Sequence, residues 1–136
     1  MALEPLSSRA VKVLLDTNAL MVPEQFGVDI FSEMLRLGYS EHLVPGAVQR
    51  ELEYLTKGAD TARDKLAAKV GLGLANRCQI INSEDDADHA LECLAIRKNA
   101  AVFTNDKELK KRLIRKGITV IYLRQGRYLE ATKKEI

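Results

Sequence analysis

The sequence predicts an α/β protein: a three-layer α/β/α sandwich around a five-stranded parallel sheet. Short, apolar, branched segments of strand length recur along the chain, and stretches with helical apolar spacing lie between them. Strands that alternate with helices require right-handed crossovers, which make the strands parallel and cover both faces of the sheet. A chain of 136 residues can bury one core, so we predict a single domain over residues 1–136.

The predicted strands are short and almost free of polar interruptions. The first covers residues 11–15 and runs directly into Asp16-Thr17-Asn18. The other four are predicted at residues 42–44, 78–81, 100–104 and 118–123. The carboxyl ends of parallel strands share one edge of the sheet, where open α/β sheets bind their ligands. Asp16 is therefore expected in the functional part of the molecule.

Apolar spacing and capping residues predict five helices. They cover residues 30–37, 47–56, 61–74, a stretch that starts near residues 86–88, and residues 107–116. Residues 1–10 are predicted to be a lead-in, residues 21–27 an irregular loop, and residues 124–136 a polar tail without assigned structure.

Composition excludes several classes of function. Aromatic residues make up only 5% of the chain and Trp is absent, which argues against a sheet on which bases stack. The net charge of +2 means that any attraction to nucleic acid must be local. No apolar run approaches the roughly 20 residues of a membrane span. Two separate cysteines without a secretory signal favour a cytoplasmic protein.

Four acids are predicted on or near the carboxyl edge of the sheet. Asp16 and Asp106 follow the first and fourth strands, Asp88 lies in the first turn of a helix, and Glu51 lies beside the apolar stripe of another. Clustered, desolvated carboxylates need a cation to remain charged together. Oxygen ligands without a histidine or cysteine cluster favour Mg²⁺ or Mn²⁺ over zinc. Such an ion can activate a water molecule for attack on a phosphodiester bond.

Each acid also has a purely structural interpretation. Asp16 is compatible with a turn, Asp88 and Asp106 with helix N-caps, and Glu51 with a solvated helix face. Asp86 competes with Asp88, but the helical spacing from Asp88 to the apolar residues that follow it favours Asp88, and residues 84–86 are expected to be a solvated loop. The joint occurrence of the four acids supports the site.

The ordered motifs resemble the PIN domain over nearly the whole chain. They are V-L-L-D-T-N at residues 13–18, P-x-x-V-x-x-E-L at 45–52, D-x-x-L-x-x-x-A at 88–95 and V-F-T-N-D at 102–106. The run T-N-D-K-E-L-K-K-R-L at residues 104–113 is similar to the archaeal branch near the ribosomal-RNA-processing PIN nucleases, with toxin-type PIN ribonucleases as the close alternative.

This resemblance implies a metal-dependent endoribonuclease, often dimeric, with Mg²⁺ or Mn²⁺ as its cofactor. The family's acids fall on Asp16, Glu51, Asp88 and Asp106, and its supporting polar positions fall on Asn18 and Thr104. His89 stands where related members often have a second Asp. The implied partners are RNA, a second copy of the chain, and a ribosome-assembly or antitoxin protein. The helices at residues 29–37 and 61–74 are the expected dimer surface.

The fifth predicted helix is strongly basic. Three of its cations share one face at i+4 steps, and the helix begins at Asp106 on the expected site edge, which favours contact with RNA phosphates over a merely solvated face. The candidate RNA-binding residues are Lys107, Lys110, Lys111, Arg112 and Arg115.

Two other classes compete with the endoribonuclease. A non-catalytic RNA-binding or assembly module could keep the same fold, although an unused cluster of buried carboxylates would reduce its stability. A phosphohydrolase of small phosphoesters could use a similar acid site, but Asn18 stands where a haloacid-type phosphatase would require an Asp.

Overall fold

The computed structural model describes residues 11–132; the predicted lead-in and the last four residues of the predicted tail lie outside this range. Six strands and six helices follow one another in the described part of the chain. They are β1 (Lys12–Leu15), α1 (Thr17–Phe26), α2 (Ile30–Arg36), β2 (Glu41–Pro45), α3 (Gly46–Gly58), α4 (Ala62–Ala75), β3 (Gln79–Ile81), α5 (Ala87–Lys98), β4 (Ala101–Phe103), α6 (Lys107–Arg115), β5 (Val120–Arg124) and β6 (Tyr128–Ala131). Over residues 11–132, no helix has the length and apolar character that crossing a membrane requires.

The strands form one sheet in the order β3-β2-β1-β4-β5-β6. The first five strands are parallel, as predicted, and β6 runs antiparallel to β5. Strand β1 lies between β2 and β4, with Leu14 opposite both Leu43 and Val102. The central position of β1 places its carboxyl end, and therefore Asp16, in the middle of the functional edge.

Two apolar clusters on opposite faces of the sheet confirm the three-layer architecture. Val13 and Leu15 point into the cluster formed with α1 to α4, whereas Leu14 points into the cluster formed with α5 and α6. This division follows from the alternation of side chains along a strand. Because β1 is buried on both faces, its residues show no polar alternation, which is typical of a central parallel strand.

The predicted irregular loop at residues 21–27 is wrong, because those residues belong largely to α1. Asp16 caps the start of this helix, and Gly27 ends it in the left-handed conformation with φ 69°. Four consecutive apolar residues, Ala19 to Val22, are buried. Pro23 lies inside the helix, and a proline at this position predicted an interruption of helical structure. The packing of the buried helix face against α4 outweighs the backbone hydrogen bond that Pro23 cannot donate.

The sequence left the structure of the tail from residue 124 unassigned, and its described part contains the end of β5 and the strand β6. A turn with positive φ at Gln125 and Gly126 reverses the chain into β6. Side chains of α2 cover the outer edge of β6: the Glu33 carboxylate accepts from Leu129 N–H at 3.0 Å, and the Arg36 guanidinium donates to Leu129 C=O at 2.6 Å. The edge strand is therefore protected from pairing with another chain.

Candidate active site

The Asp16 carboxylate is the centre of a hydrogen-bond network at the end of β1. It is 5% exposed and stands at the N-cap of α1. Its Oδ1 accepts from Thr17 N–H at 2.7 Å, and its Oδ2 accepts from the Thr104 hydroxyl at 2.7 Å and from Asn18 Nδ2 at 3.0 Å. Three donors therefore fix the orientation of one buried carboxylate.

Thr104 and Asn18 connect Asp16 to the neighbouring strands. Thr104 is fully buried just after β4, and its hydroxyl accepts from Asp106 N–H at 3.1 Å while it donates to Asp16. Asn18 Oδ1 accepts from Asn105 N–H at 2.8 Å, and Asn105 Oδ1 accepts from Leu123 N–H at 2.8 Å. The side chains thus link the ends of β1, β4 and β5, which fixes the geometry of this edge.

The pKa of Asp16 is raised from 3.8 to about 6. Desolvation by burial is the largest cause and outweighs the hydrogen bonds from Thr104 and Thr17, which lower the pKa because they favour the charged form. The negative charges of Asp88 and Glu51 raise it further. The protein therefore holds a carboxylate whose ionisation it disfavours, and a nearby cation would reverse this effect.

Glu51 reaches the site through Thr17. Helix α3 begins directly after β2, which brings Glu51 to the functional edge about one turn later. The Thr17 hydroxyl donates to Glu51 Oε2 at 3.0 Å. Asp88 lies exposed in the first turn of α5, and Asp86 caps this helix by accepting from His89 N–H at 2.8 Å. Asp86 is thus a helix cap, where a solvated loop was expected.

Asp106 is connected to the Asp16 network through its backbone, while its side chain caps a helix. Its Oδ1 caps α6 by accepting from Glu108 N–H at 2.9 Å and Leu109 N–H at 3.2 Å. The capping role that the sequence allowed for Asp106 is therefore present. Its backbone N–H bonds to Thr104, so Asp106 is connected to Asp16 through one shared hydroxyl group.

The chemistry of these residues fits a hard divalent cation. Every candidate ligand supplies carboxylate oxygen, and the polar groups around them supply amide or hydroxyl oxygen. In residues 11–132, no three acidic, histidine or cysteine side chains lie close enough together to form a metal-binding group. Asp16, Glu51 and Asp88 are nevertheless near enough for their charges to interact, and a cation between them would relieve that repulsion.

Glu92 and helix α6 form a second charged feature beside the site. Glu92 is almost fully buried in α5, and its carboxylate forms ion pairs with Arg112 of α6 and with Lys116, which directly follows α6. Within the described residues, Lys107, Lys111 and Arg115 form no ion pair. Of the six cations in residues 107–116, two therefore attach this segment to α5, Lys110 lies over the Tyr122 ring, and three are free to meet a polyanion.

Sequence reasoning did not identify Thr17, Asn105 or Glu92 as members of these networks. Thr17 and Asn105 lie inside the D-T-N and T-N-D motifs, so their position was a signal that could have been used. Glu92 follows Asp88 by one helical turn. It lies between the buried Leu91 and the exposed Cys93, so the local sequence did not indicate that its carboxylate is buried and paired.

Comparisons with known proteins find similar sequences over most of the chain. A family model described as "PIN like domain" matches residues 13–126. Ribonuclease VapC9 of Archaeoglobus fulgidus is 32% identical over 114 residues, which cover 84% of each chain. Ribonuclease VapC4 of Methanocaldococcus jannaschii is 31% identical over 124 residues, covering 88% of this chain and 95% of the relative.

A solved structure has a similar fold. The match is to a chain described as the structure of the PIN domain endonuclease Utp24, with a TM-score of 0.70 and 22% sequence identity. The match covers 88% of this chain and 90% of that chain. At this identity the similarity concerns the fold alone.

The raised pKa of Asp16 predicts a pH-dependent stability in the presence of EDTA. The folded protein retains this proton up to about pH 6, whereas the unfolded chain loses it near 3.8, so stability decreases as pH rises through this window. Because each pKa unit corresponds to about 1.4 kcal/mol, the loss is roughly 3 kcal/mol.

Urea unfolding of the wild type and of Asp16→Asn measures this contribution, because the other titrating groups cancel in the difference. The free energy of unfolding of the wild type, relative to the variant, should fall by roughly 3 kcal/mol between about pH 4 and about pH 7. A difference that stays constant across that range would show that burial does not raise the pKa of Asp16.

Proposed function

Because the chain belongs to the PIN-like domain family, we propose that it is an endoribonuclease that depends on a divalent metal ion and hydrolyses RNA phosphodiester bonds. The observation that carries the proposal is the Asp16 carboxylate, which is buried, hydrogen-bonded and destabilised by two neighbouring acids. Two relatives with more than 30% identity over most of the chain are named ribonucleases, which supports RNA as the substrate.

We assign the metal ion to the oxygens of the four predicted acids, with Mg²⁺ or Mn²⁺ as the ion. These acids are Asp16, Glu51, Asp88 and Asp106. When bound, the ion lowers the pKa of water and stabilises the charge that develops on the leaving oxygen. Attack by water accounts for the reaction without a covalent intermediate, since no Ser or Cys nucleophile is identified in this network.

The other side chains of the network orient these acids. Thr104 and Asn18 both donate to Asp16 Oδ2, which orients the carboxylate. Thr17 holds Glu51 toward the same edge. The amino-terminal ends of α5 and α6 also lie here, and their partial positive charge favours an anionic phosphate. The residues of the chain thereby position both the metal ligands and the substrate.

Helix α6 supplies the cations for the RNA backbone in this proposal. Lys107, Lys111 and Arg115 are exposed and free of ion pairs within residues 11–132. The remaining predicted RNA-binding residues have partners inside the protein: Arg112 pairs with Glu92, and the Lys110 ammonium lies 3.5 Å from the centre of the Tyr122 ring. We propose that these two residues contribute less to phosphate binding than the three unpaired cations do.

The biological role that we propose is RNA processing, as the T-N-D-K-E-L motif suggests. A toxin-type ribonuclease is the second candidate, because two relatives named VapC ribonucleases are 32% and 31% identical to this chain, which covers 84% and 95% of their lengths. The first role implies a ribosome-assembly partner, the second an antitoxin partner, and a homodimer is compatible with both. The free thiols Cys78 and Cys93 fit the cytoplasm as the compartment.

Cleavage of a structured RNA by the purified full chain tests the proposal. We expect cleavage with Mn²⁺, none with EDTA, and a loss of at least about 100-fold in rate for Asp16→Asn and Glu51→Gln, because each variant removes a positioned carboxylate. The matched control is Glu53→Gln. Glu53 is an exposed acid of α3, the helix that carries Glu51, and its neutralisation should leave the rate unchanged.

Cleavage that persists in EDTA or in Asp16→Asn would contradict the proposal. If the folded protein binds RNA but neither binds Mn²⁺ nor cleaves any RNA, the non-catalytic binding module becomes the better account. Hydrolysis of a small phosphoester without cleavage of RNA would instead favour the phosphohydrolase alternative.

The salt dependence of RNA binding tests the role of α6. Lys111→Glu combined with Arg115→Glu should weaken binding and reduce the slope of log affinity against log salt by roughly 1 to 2, because single-stranded contacts contribute about 0.7 each. The control is Lys57→Glu with Lys69→Glu, which changes the net charge equally on exposed positions of α3 and α4. An equal effect in both double variants would mean that the net charge, and not α6, determines binding.

A further inference from the structure

Glu92 is a buried acid that the proposed reaction does not use. It is 4% exposed and lies in α5, on the side of the sheet where Leu91 of α5 and Leu113 of α6 belong to one apolar cluster. An acidic side chain is almost never buried to this degree unless it is paired. A carboxylate at this position therefore requires partners, and both come from the segment of α6.

Each oxygen of the Glu92 carboxylate has its own cation. Oε2 pairs with Arg112 in the last turn of α6, and Oε1 pairs with Lys116, which directly follows that helix. The side chains of Arg112 and Lys116 are 40% and 50% exposed, so water can solvate the outer part of each cation. Only the acid is buried, and its two ion pairs connect α5 to the end of α6.

Stability alone does not explain these ion pairs. Apolar residues of similar volume often replace a buried ion pair without loss of stability, whereas buried charges can specify one geometry. Of the nine residues of α6, Leu109 and Leu113 are the two that are buried. Their contacts hold the helix against the molecule but leave it able to slide and tilt, because apolar attraction has no direction. The ion pairs of Glu92 remove this freedom.

The opposite end of α6 belongs to the candidate active site. Asp106, the N-cap of α6, donates its backbone N–H to the Thr104 hydroxyl, and that hydroxyl donates to Asp16. Glu92 lies one helical turn after Asp88, and residues four apart share a helix face. Helix α6 is thus held at its start by the site, and at its end by the helix that carries Asp88.

We propose that Glu92 is a positioning residue of the proposed metal site. Through its two ion pairs it fixes α6 against α5, and thereby the position of Asp106 relative to Asp88. The inference rests on the proposed metal-dependent activity and adds a residue that orients the ligands without binding the ion. Glu92 also occupies two cations that RNA phosphates would otherwise attract. Loss of its charge should therefore change metal binding and RNA binding in opposite directions.

Glu92→Gln in the full chain tests the proposal, because glutamine keeps the size of the side chain and removes its charge. Calorimetric titration with Mn²⁺ should show an affinity roughly 10- to 100-fold below that of the wild type, as for other residues that orient metal ligands. In EDTA, affinity for a single-stranded oligoribonucleotide should rise, and the slope of log affinity against log salt should steepen by about 1.4, because each added contact contributes about 0.7. Glu53→Gln is the matched control and should change neither affinity.

The orientation of α6 gives a measurement that needs no ligand. Residual dipolar couplings of backbone amides in metal-free protein should show a changed angle between α5 and α6 in Glu92→Gln and the wild-type angle in Glu53→Gln. Lower Mn²⁺ affinity with an unchanged helix angle would mean that Glu92 acts on the ion directly, and this result would overturn the positioning role.

A second variant keeps the test decisive if Glu92→Gln does not fold. Glu92→Leu combined with Arg112→Leu replaces the buried pair by apolar residues, so it should fold and still bind Mn²⁺ more weakly than the wild type. Wild-type Mn²⁺ affinity in either folded variant would overturn the role of Glu92 and leave the proposed activity intact. An equal loss of metal and RNA binding would also overturn it. Failure of the wild type itself to bind Mn²⁺ would instead contradict the proposed function.

Discussion

The burial of one carboxylate group determines the design of this edge of the sheet. Asp16 follows a strand that is buried on both faces. The position of Asp16 in the fold therefore buries its side chain, independently of the groups that hydrogen-bond to it. Thr104, Asn18 and the backbone of Thr17 donate to it, and yet its pKa remains raised, because desolvation outweighs these bonds. The negative charges of Glu51 and Asp88 raise the pKa of Asp16 further, and a bound divalent cation would lower it.

The sequence was sufficient for the elements that carry a strong local pattern. The five parallel strands could be predicted because each is a short apolar run. Asp16 and Asp106 could be located at the sheet edge because each follows one of these runs within three residues. Helix α1 could not be predicted, because its four consecutive buried residues show no helical period and Pro23 suggested a break. Strand β6 depends on Glu33 and Arg36, whose partner lies more than 90 residues further along the chain.

Contacts between distant segments also explain which parts of the site were missed. The bond from Thr17 to Glu51 depends on how α3 packs, and the ion pairs of Glu92 depend on how α6 lies against α5. A cleft lined by Phe26 and Tyr122 could not be predicted either, because its residues come from distant segments of the chain. The roles of the four acids in metal binding and catalysis remain predictions.

Proton release on metal binding tests most directly whether Asp16 is a carboxylate that requires a cation. Calorimetric titration with Mn²⁺ in two buffers of different ionisation enthalpy counts the protons that leave. With a pKa of about 6, Asp16 should release roughly half a proton per ion at about pH 6 and almost none at about pH 8. The Asp16→Asn variant should release none at either pH. Binding at about pH 6 without proton release, or with equal release from the variant, would contradict the account.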